Sequence, residues 1–434
     1  MRILLTEFHP SGGLFQFSFQ LGEALAASGH RVELLTGPQP ELESTVPGFE
    51  VVPLFRTWHP RGADLRRSLA HRVRRVMRAL RYLDAWRRLL AYVERNDADA
   101  VVWSEFKSPV VGWFVPRLGR SAHRPVLAFI AHEPRPLAAR RRHGQLYHTR
   151  HSRGRASALG SMDVVFVLGP NARRELLDSW PQVRRVEVIP HGGQEIFAEP
   201  GCAKRRGAGF REPRQRAFGP EKRAPDPLRG TGSLPGDAVP APGQCSPTAV
   251  FFGTWTRSKG LDLLLEAFAI VRSRVPAARL VIAGAVAANV DCDAIRRRAD
   301  EIGGVELRPG YVPMPQVAPL IGQARLVVVP YVRAAQSGVV HLAQTFARPV
   351  VATAVGDIPE AVPDGVCGRL VPPGDALAFA TAMEELLCDP ATATALGHAG
   401  KERLVTEASW HEVASRFARA LAAARQGRHA ALRR

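Results

Sequence analysis

The sequence predicts an α/β chain built from two doubly wound parallel sheets, and three observations predict it. Short apolar runs of strand length alternate with helix-length segments along most of the 434 residues, the pattern of parallel sheets buried on both faces. That length exceeds one ordinary core and suits two domains of roughly 200 residues each. One stretch, 201–247, abandons the pattern: it is rich in Pro, Gly and Arg, poor in aliphatics, and carries nine basic residues against four acidic ones. It reads as a disordered linker or insertion between the two halves.

In the first half, residues 2–6 read as a strand, followed by the turn Pro10-Ser11-Gly12-Gly13, a helix through Leu21, Leu25 and Ala26 that ends at Gly29-His30, and a second strand at 31–36. Residues 64–95 read as one long helix. Its apolar residues Leu65, Leu69, Val73, Val76, Leu80, Leu83, Leu90 and Val93 recur at three- and four-residue spacing, and ten arginines occupy its other faces. Two readings stand for it: a domain helix with solvated arginines, or a cationic surface resting on anionic lipid headgroups, each cation contributing up to about 1 kcal/mol. In both, the apolar stripe is taken up by the domain. Further strands are expected at 100–103, 126–130, 164–168 and 186–189, and Pro190-His191-Gly192 closes the domain. His191 is expected to hydrogen-bond the crossover loop.

The second half opens with a strand at 249–252 and the turn at Gly253. A helix at 261–274 and strands at 280–284, 305–311 and 326–330 follow. Gln336-Ser337-Gly338 then opens a helix-like segment that leads into a strand at 349–353. A Ser-Gly pair at a helix start exposes unpaired backbone N–H groups at the positive end, where a diphosphate can sit without a side-chain cation. The final helix is expected at 410–426, with a frayed Arg-rich tail beyond it.

Composition narrows the function classes. A net charge of +19, from 59 Lys plus Arg against 40 Asp plus Glu, implies an anionic partner. With no RNP-like aromatic motif or zinc knuckle in the chain, nucleic acid is not the expected one. The five cysteines lack metal or disulfide spacing, and no Ser-His-Asp set or usable carboxylate pair is read in the chain. No apolar run reaches the roughly 18 residues a bilayer span needs, and the N-terminus does not read as a signal peptide. The expected location is the cytoplasm, peripheral at the inner face of the membrane if the basic helix meets lipid.

The order and wording of two segments, PYVRAAQSGVVHLAQTFARPVVATAVGDIPEAVPDGVCGRLVPPGD from Pro330 and FGTWTRSKG from Phe252, resemble the retaining glycosyltransferases of family 4, which have the GT-B fold. The resemblance implies two Rossmann-like domains facing a cleft. It divides the chain into an acceptor-side domain at 1–190, a hinge with the disordered basic insertion at 191–247, a donor-binding domain at 248–407, and a crossover helix and tail at 408–434. It implies metal-independent, cofactor-free transfer of a sugar, with retention, from a nucleoside-diphosphate sugar to a hydroxyl of a lipid-linked or polysaccharide glycan. The expected partners are therefore the nucleotide-sugar, that acceptor and an anionic membrane surface.

Residue by residue, the resemblance assigns donor binding to Gly253, Arg257, Lys259, Gly260, Ser337, Gly338 and Val339, an acceptor and phosphate loop to Gly12 and Gly13, and the candidate catalytic role to His132. Two departures accompany it. Thr254 stands where the family's G-R-L-x-x-x-K-G turn has its arginine, so that contact depends on Arg257. The family's E-x7-E carboxylates fall at Ala334 and Leu342, neither of which is acidic. A second reading follows from that loss: a catalytically silent GT-B module that binds glycan or partner enzymes.

Overall fold

The computed structural model describes residues 1–56, 69–106, 108–120, 124–135, 141–142, 145–146, 150–198 and 240–432. They form two compact units. The described residues from Met1 to Pro190 make the first together with the C-terminal segment from Trp410, and those from His191 to Ser409 supply the second.

Unit 1 runs β1 (Arg2–Thr6), α1 (Gly13–Ala27), β2 (Arg31–Leu35), β3 (Phe49–Val52), α2 (Leu69–Arg95), β4 (Ala100–Trp103), α3 (Val111–Leu118), β5 (Val126–Ala131), the short pair β6 (Arg141–Arg142) and β7 (Gln145–Leu146), α4 (Arg150–Gly160), β8 (Val164–Val167), α5 (Pro170–Ser179) and β9 (Val186–Val188). Seven strands form a parallel sheet in the order β3-β2-β1-β4-β5-β8-β9. β4, β5 and β8 are buried at every position, as expected of strands covered on both faces. Trp86 of α2 stacks on Trp103 at 6.1 Å and on Phe114 of α3 at 5.5 Å, anchoring both helices to the sheet.

The expected start of α2, 64–68, lies outside the described residues. Within the rest, the apolar stripe is not wholly taken up by the domain. Ala85, Trp86, Leu89 and Val93 are fully buried, but Val76 is 60% exposed and Leu80 57%. The reason is angular. At 100° per residue the buried set centres about 45° to one side of Trp86, and Val76 and Leu80 lie about 125° and 165° from that centre, on the far side of the helix.

Unit 2 continues with β10 (Thr248–Phe252), α6 (Leu261–Arg274), β11 (Arg279–Gly284), α7 (Cys292–Ile302), β12 (Val305–Pro309), α8 (Met314–Gly322), β13 (Leu326–Val329), α9 (Gly338–Thr345), β14 (Val350–Thr353), α10 (Ile358–Ala361), β15 (Gly368–Val371), α11 (Ala376–Cys388) and α12 (Pro390–Glu407). Its parallel sheet has the order β12-β11-β10-β13-β14-β15. Strand order reverses between β10 and β13, and the crevice at the carboxyl ends of strands beside such a reversal is where open α/β sheets bind ligands.

Two expectations are corrected here. Through residue 239 the supposed disordered stretch lies outside the described residues, but 240–247 is ordered. Pro242–Gln244 form a 3-10 turn, Gly243 N donates to Thr394 Oγ1 at 3.0 Å, and two buried arginines hold the segment from below. Arg348 donates to the carbonyls of Pro240 and Gly322, Arg325 to those of Cys245 and Leu387. Gly322 ends α8 and Leu387 lies in the last turn of α11, so each guanidinium also meets the negative end of a helix. Nor does the C-terminus fray at 426. The last helix, α13 (Trp410–Leu432), joins unit 1 and continues because its arginines find carboxylates there: Arg425 pairs with Asp99 at 2.9 Å and Arg428 with Asp163 at 3.2 Å.

Candidate functional site

In unit 2 the expected donor residues gather at the strand-order reversal. After β10 the chain turns at Gly253, whose φ of +133° suits glycine. A Cβ on Gly284, at the end of β11, would lie 1.9 Å from the Gly253 carbonyl oxygen, so these turns pack backbone to backbone. Arg257–Lys259 then form a 3-10 turn closed by Gly260 at φ +67°. A Cβ there would lie 1.8 Å from the Pro330 carbonyl, and Val332 N donates to Ser258 O at 2.9 Å. The Lys259 loop is thereby fastened to the segment that leaves β13.

That fastening sets the lysine. Lys259 Nζ lies 3.5 Å from the centre of the Tyr331 ring, a cation–π contact, and Tyr331 is fully buried. Ser337 Oγ donates to Tyr331 Oη at 3.3 Å, and Ser337 is the N-cap of α9, with no side-chain cap of its own. Gly338 and Val339 are the first helical residues, so their N–H groups have no partner within the helix. A Cβ on Gly253 would lie 4.0 Å from Val339 Cγ2. Lys259, Tyr331, Ser337, Gly338, Val339, Gly253 and Gly260 thus belong to one site, a cation beside the positive end of a helix.

Arg257 does not join it. In a turn of three residues per revolution, positions two apart point about 240° apart, and Arg257 instead lines an open cavity of about 520 Å³ with Asp262, Glu266, Asp291 and Arg298. Of the two expected carboxylate positions, Leu342 is a core residue and Ala334 packs its carbonyl against Gly356.

Two histidines flank the first turns of α9. His191 stacks on His341 with ring centres 4.7 Å apart and 7° between planes, and a Cβ on Gly338 would lie 3.3 Å from His191 Nε2. His191 Nδ1 faces the Gly192 carbonyl at 3.1 Å, in line with the expected role in the crossover loop. Burial brings His191 down to about 4 from 6.5. Burial and then the adjoining His191 hold His341 well below the usual imidazole value. Both rings are neutral near pH 7. His341 and Tyr331 were not singled out in the sequence, where an apolar run hides them.

In unit 1, Gly12 and Gly13 open α1, and Gly12 adopts φ +89°. Gly12 N donates to Glu41 Oε2 at 3.0 Å, Gln16 Nε2 donates to the same oxygen at 3.1 Å, and Glu41 is fully buried. A carboxylate thus takes one of the backbone donors at the start of α1. One turn along α1, Phe17 packs edge-on against His132 at 4.8 Å and against Trp410 at 5.2 Å. His132 follows β5 directly, partly exposed. Among the described residues, no group of three His, Cys, Asp or Glu is placed to hold a metal ion.

The model of "Glycosyl transferases group 1" matches residues 246–389, and that of "Glycosyl transferase 4-like domain" matches 12–192. The chain belongs to the family 4 glycosyltransferases. An alpha-maltose-1-phosphate synthase of Mycobacterium tuberculosis is 37% identical over 180 residues, 39% of this chain and 46% of the relative. A D-inositol 3-phosphate glycosyltransferase of Mycolicibacterium paratuberculosis is 37% identical over 150 residues, 33% of each chain. The family 4 chain thus spans less than half the length of these curated relatives. Among solved structures, sucrose-phosphate synthase of Thermosynechococcus elongatus has TM-score 0.66 at 22% identity, covering 96% of this chain and 97% of that one. Anabaena HepE, in complex with UDP and glucose, has TM-score 0.64 at 14% identity, covering 97% and 99%. At these identities the likeness establishes the GT-B fold.

Proposed function

We propose that the family 4 chain transfers a sugar, with retention, from a nucleoside-diphosphate sugar to an acceptor hydroxyl on a lipid-linked or polysaccharide glycan. The observation that carries this is the Lys259–Tyr331–Ser337 chain, which fixes a cation beside the α9 N-terminus at the strand-order reversal. As the anomeric C–O bond breaks, its electron pair passes to the diphosphate. Lys259 and the amides of Gly338 and Val339 stabilise that charge. The acceptor oxygen bonds to the anomeric carbon on the same face, and its proton passes to the departing diphosphate, since neither Ala334 nor Leu342 supplies a carboxylate base. His132 orients the acceptor hydroxyl. UDP binding by HepE supports a nucleotide ligand for a chain of this fold. Titration with UDP, GDP and ADP tests it: micromolar binding of one nucleotide, weakened at least about 10-fold by Lys259→Ala, is expected. No binding of any nucleotide contradicts it.

Ala334 and Leu342 favour the second reading, a silent module. It predicts nucleotide or glycan binding without release of nucleoside diphosphate.

An anionic membrane surface completes the proposed partners. Val76, Met77 and Leu80 are half or more exposed on α2, with Arg81 and Arg87 exposed on the same helix. Apolar side chains flanked by arginines suit the headgroup boundary of an anionic bilayer. Among the described residues no helix is long and apolar enough to cross a membrane. Sedimentation with phosphatidylserine vesicles is expected to fall only in part as salt rises, because screening leaves the apolar contact in place. Val76→Glu with Leu80→Glu abolishes the salt-resistant fraction; equal sedimentation of wild type and variant contradicts the proposal.

A further inference from the structure

Arg155 on α4 is a buried cation in unit 1. It is 6% exposed, and among the described residues no carboxylate lies within ion-pair distance of it. Isolated burial of a guanidinium costs several kcal/mol unless its donors are well used. Two close backbone contacts carry it inward. A Cβ on Gly154 would lie 2.1 Å from the Pro109 carbonyl, and one on Gly112 would lie 2.7 Å from the Gly154 carbonyl. α3 and α4 therefore touch through bare glycine backbone, and the next side chain, Arg155, enters the core behind the end of β5.

There its guanidinium lies 5.4 Å from the centre of the Trp180 ring and 5.9 Å from that of Phe129. Arg155 Nη2 donates to the Glu133 carbonyl at 2.9 Å. Trp180, also fully buried, donates from Nε1 to the next carbonyl, that of Pro134, at 2.8 Å. Two adjacent side-chain donors thus hold two successive carbonyls of the turn that begins at His132. The Glu133 and Glu105 carboxylates act on the guanidinium through space and partly offset the lowering that burial imposes.

We infer that Arg155 and Trp180 form a clamp that positions His132, Arg155 being a positioning residue that does not itself meet substrate. The inference rests on the proposed role of His132 for its kinetic consequence, but the positional claim stands without it. A lysine cannot reproduce the clamp, because it lacks the planar face that lies on Trp180.

The test compares Arg155→Lys and Trp180→Phe with wild type by two readouts. The first is the imidazole resonance of His132 by NMR, with His191 and His341 in the other unit as internal references. A shift of His132 with the references unmoved is expected, and an unmoved His132 overturns the inference. The second is release of nucleoside diphosphate from UDP-glucose, GDP-mannose and ADP-glucose. For the donor the wild type uses, kcat falls at least about 10-fold while the nucleotide Kd stays within about 2-fold, as misplacement of a reacting group by a fraction of an ångström implies. Unchanged kcat beside a shifted His132 counts against the role proposed for His132 and leaves the clamp standing, whereas a matching loss of nucleotide binding shows a general disruption and overturns the inference. A wild type that uses no donor counts against the proposed function alone, since the NMR arm still decides the clamp.

Discussion

At the scale of residues, the most informative departures are neutral polar side chains in the segment where the family pattern puts charges. The family pattern has carboxylates at 334 and 342; here the same segment presents Tyr331, Ser337 and His341 around α9. The stacked imidazoles have a thermodynamic consequence. His191 stays neutral down to about 4 in the folded chain, against 6.5 when free. Between those values the unfolded chain binds the proton and the folded one does not, so stability falls as pH drops through that window and is level above it. Urea midpoints for wild type are expected to decline more between pH 7 and pH 5 than those of His191→Phe, which keeps a ring and loses the titration. Parallel curves for the two proteins would show that His191 does not contribute.

At the scale of elements, the regular parts were readable because local chemistry and burial agree. α6 lies at the expected 261–274, opened by Gly260, whose left-handed conformation and close approach to the Pro330 carbonyl each call for glycine. β3, four residues with one buried in full, was missed because so short and half-covered a strand carries little periodicity. The side on which α2 buries its apolar residues was not readable, because spacing gives a stripe but not which neighbours cover it. The order of 240–247 was hidden for the same reason: its partners, Arg325 and Arg348, lie 80 or more residues away in the chain. Arg348→Ala is expected to destabilise unit 2 by about 1–3 kcal/mol for each carbonyl left unpaired. Thermal unfolding measures this, and a melting temperature within about 1 °C of wild type would contradict the role given to Arg348.

At the scale of the whole molecule, each unit repeats one logic. A parallel sheet reverses its strand order, and the functional candidates sit on the loops at the carboxyl ends of its strands. The site in unit 2 was largely legible, since Lys259, Gly260 and Ser337–Val339 are contiguous motifs. The contacts that make it a site were not, because Tyr331 looks like an ordinary core aromatic until its ring is seen beneath Lys259. In unit 1 the glycine turn was legible and its hydrogen bond to Glu41 was not, since nothing local ties residue 41 to residue 12. The central claim is that the Lys259 and α9 site holds a diphosphate leaving group. It is tested most directly by nucleoside diphosphate release from a panel of UDP-, GDP- and ADP-sugars, with wild type and Lys259→Ala assayed side by side below donor saturation. The account predicts release from at least one donor by wild type and a loss of at least about 100-fold in kcat/KM on removing the cation, with the fold intact. Release by the two proteins at equal rates, or binding of nucleotide by wild type with no release from any donor, would contradict it.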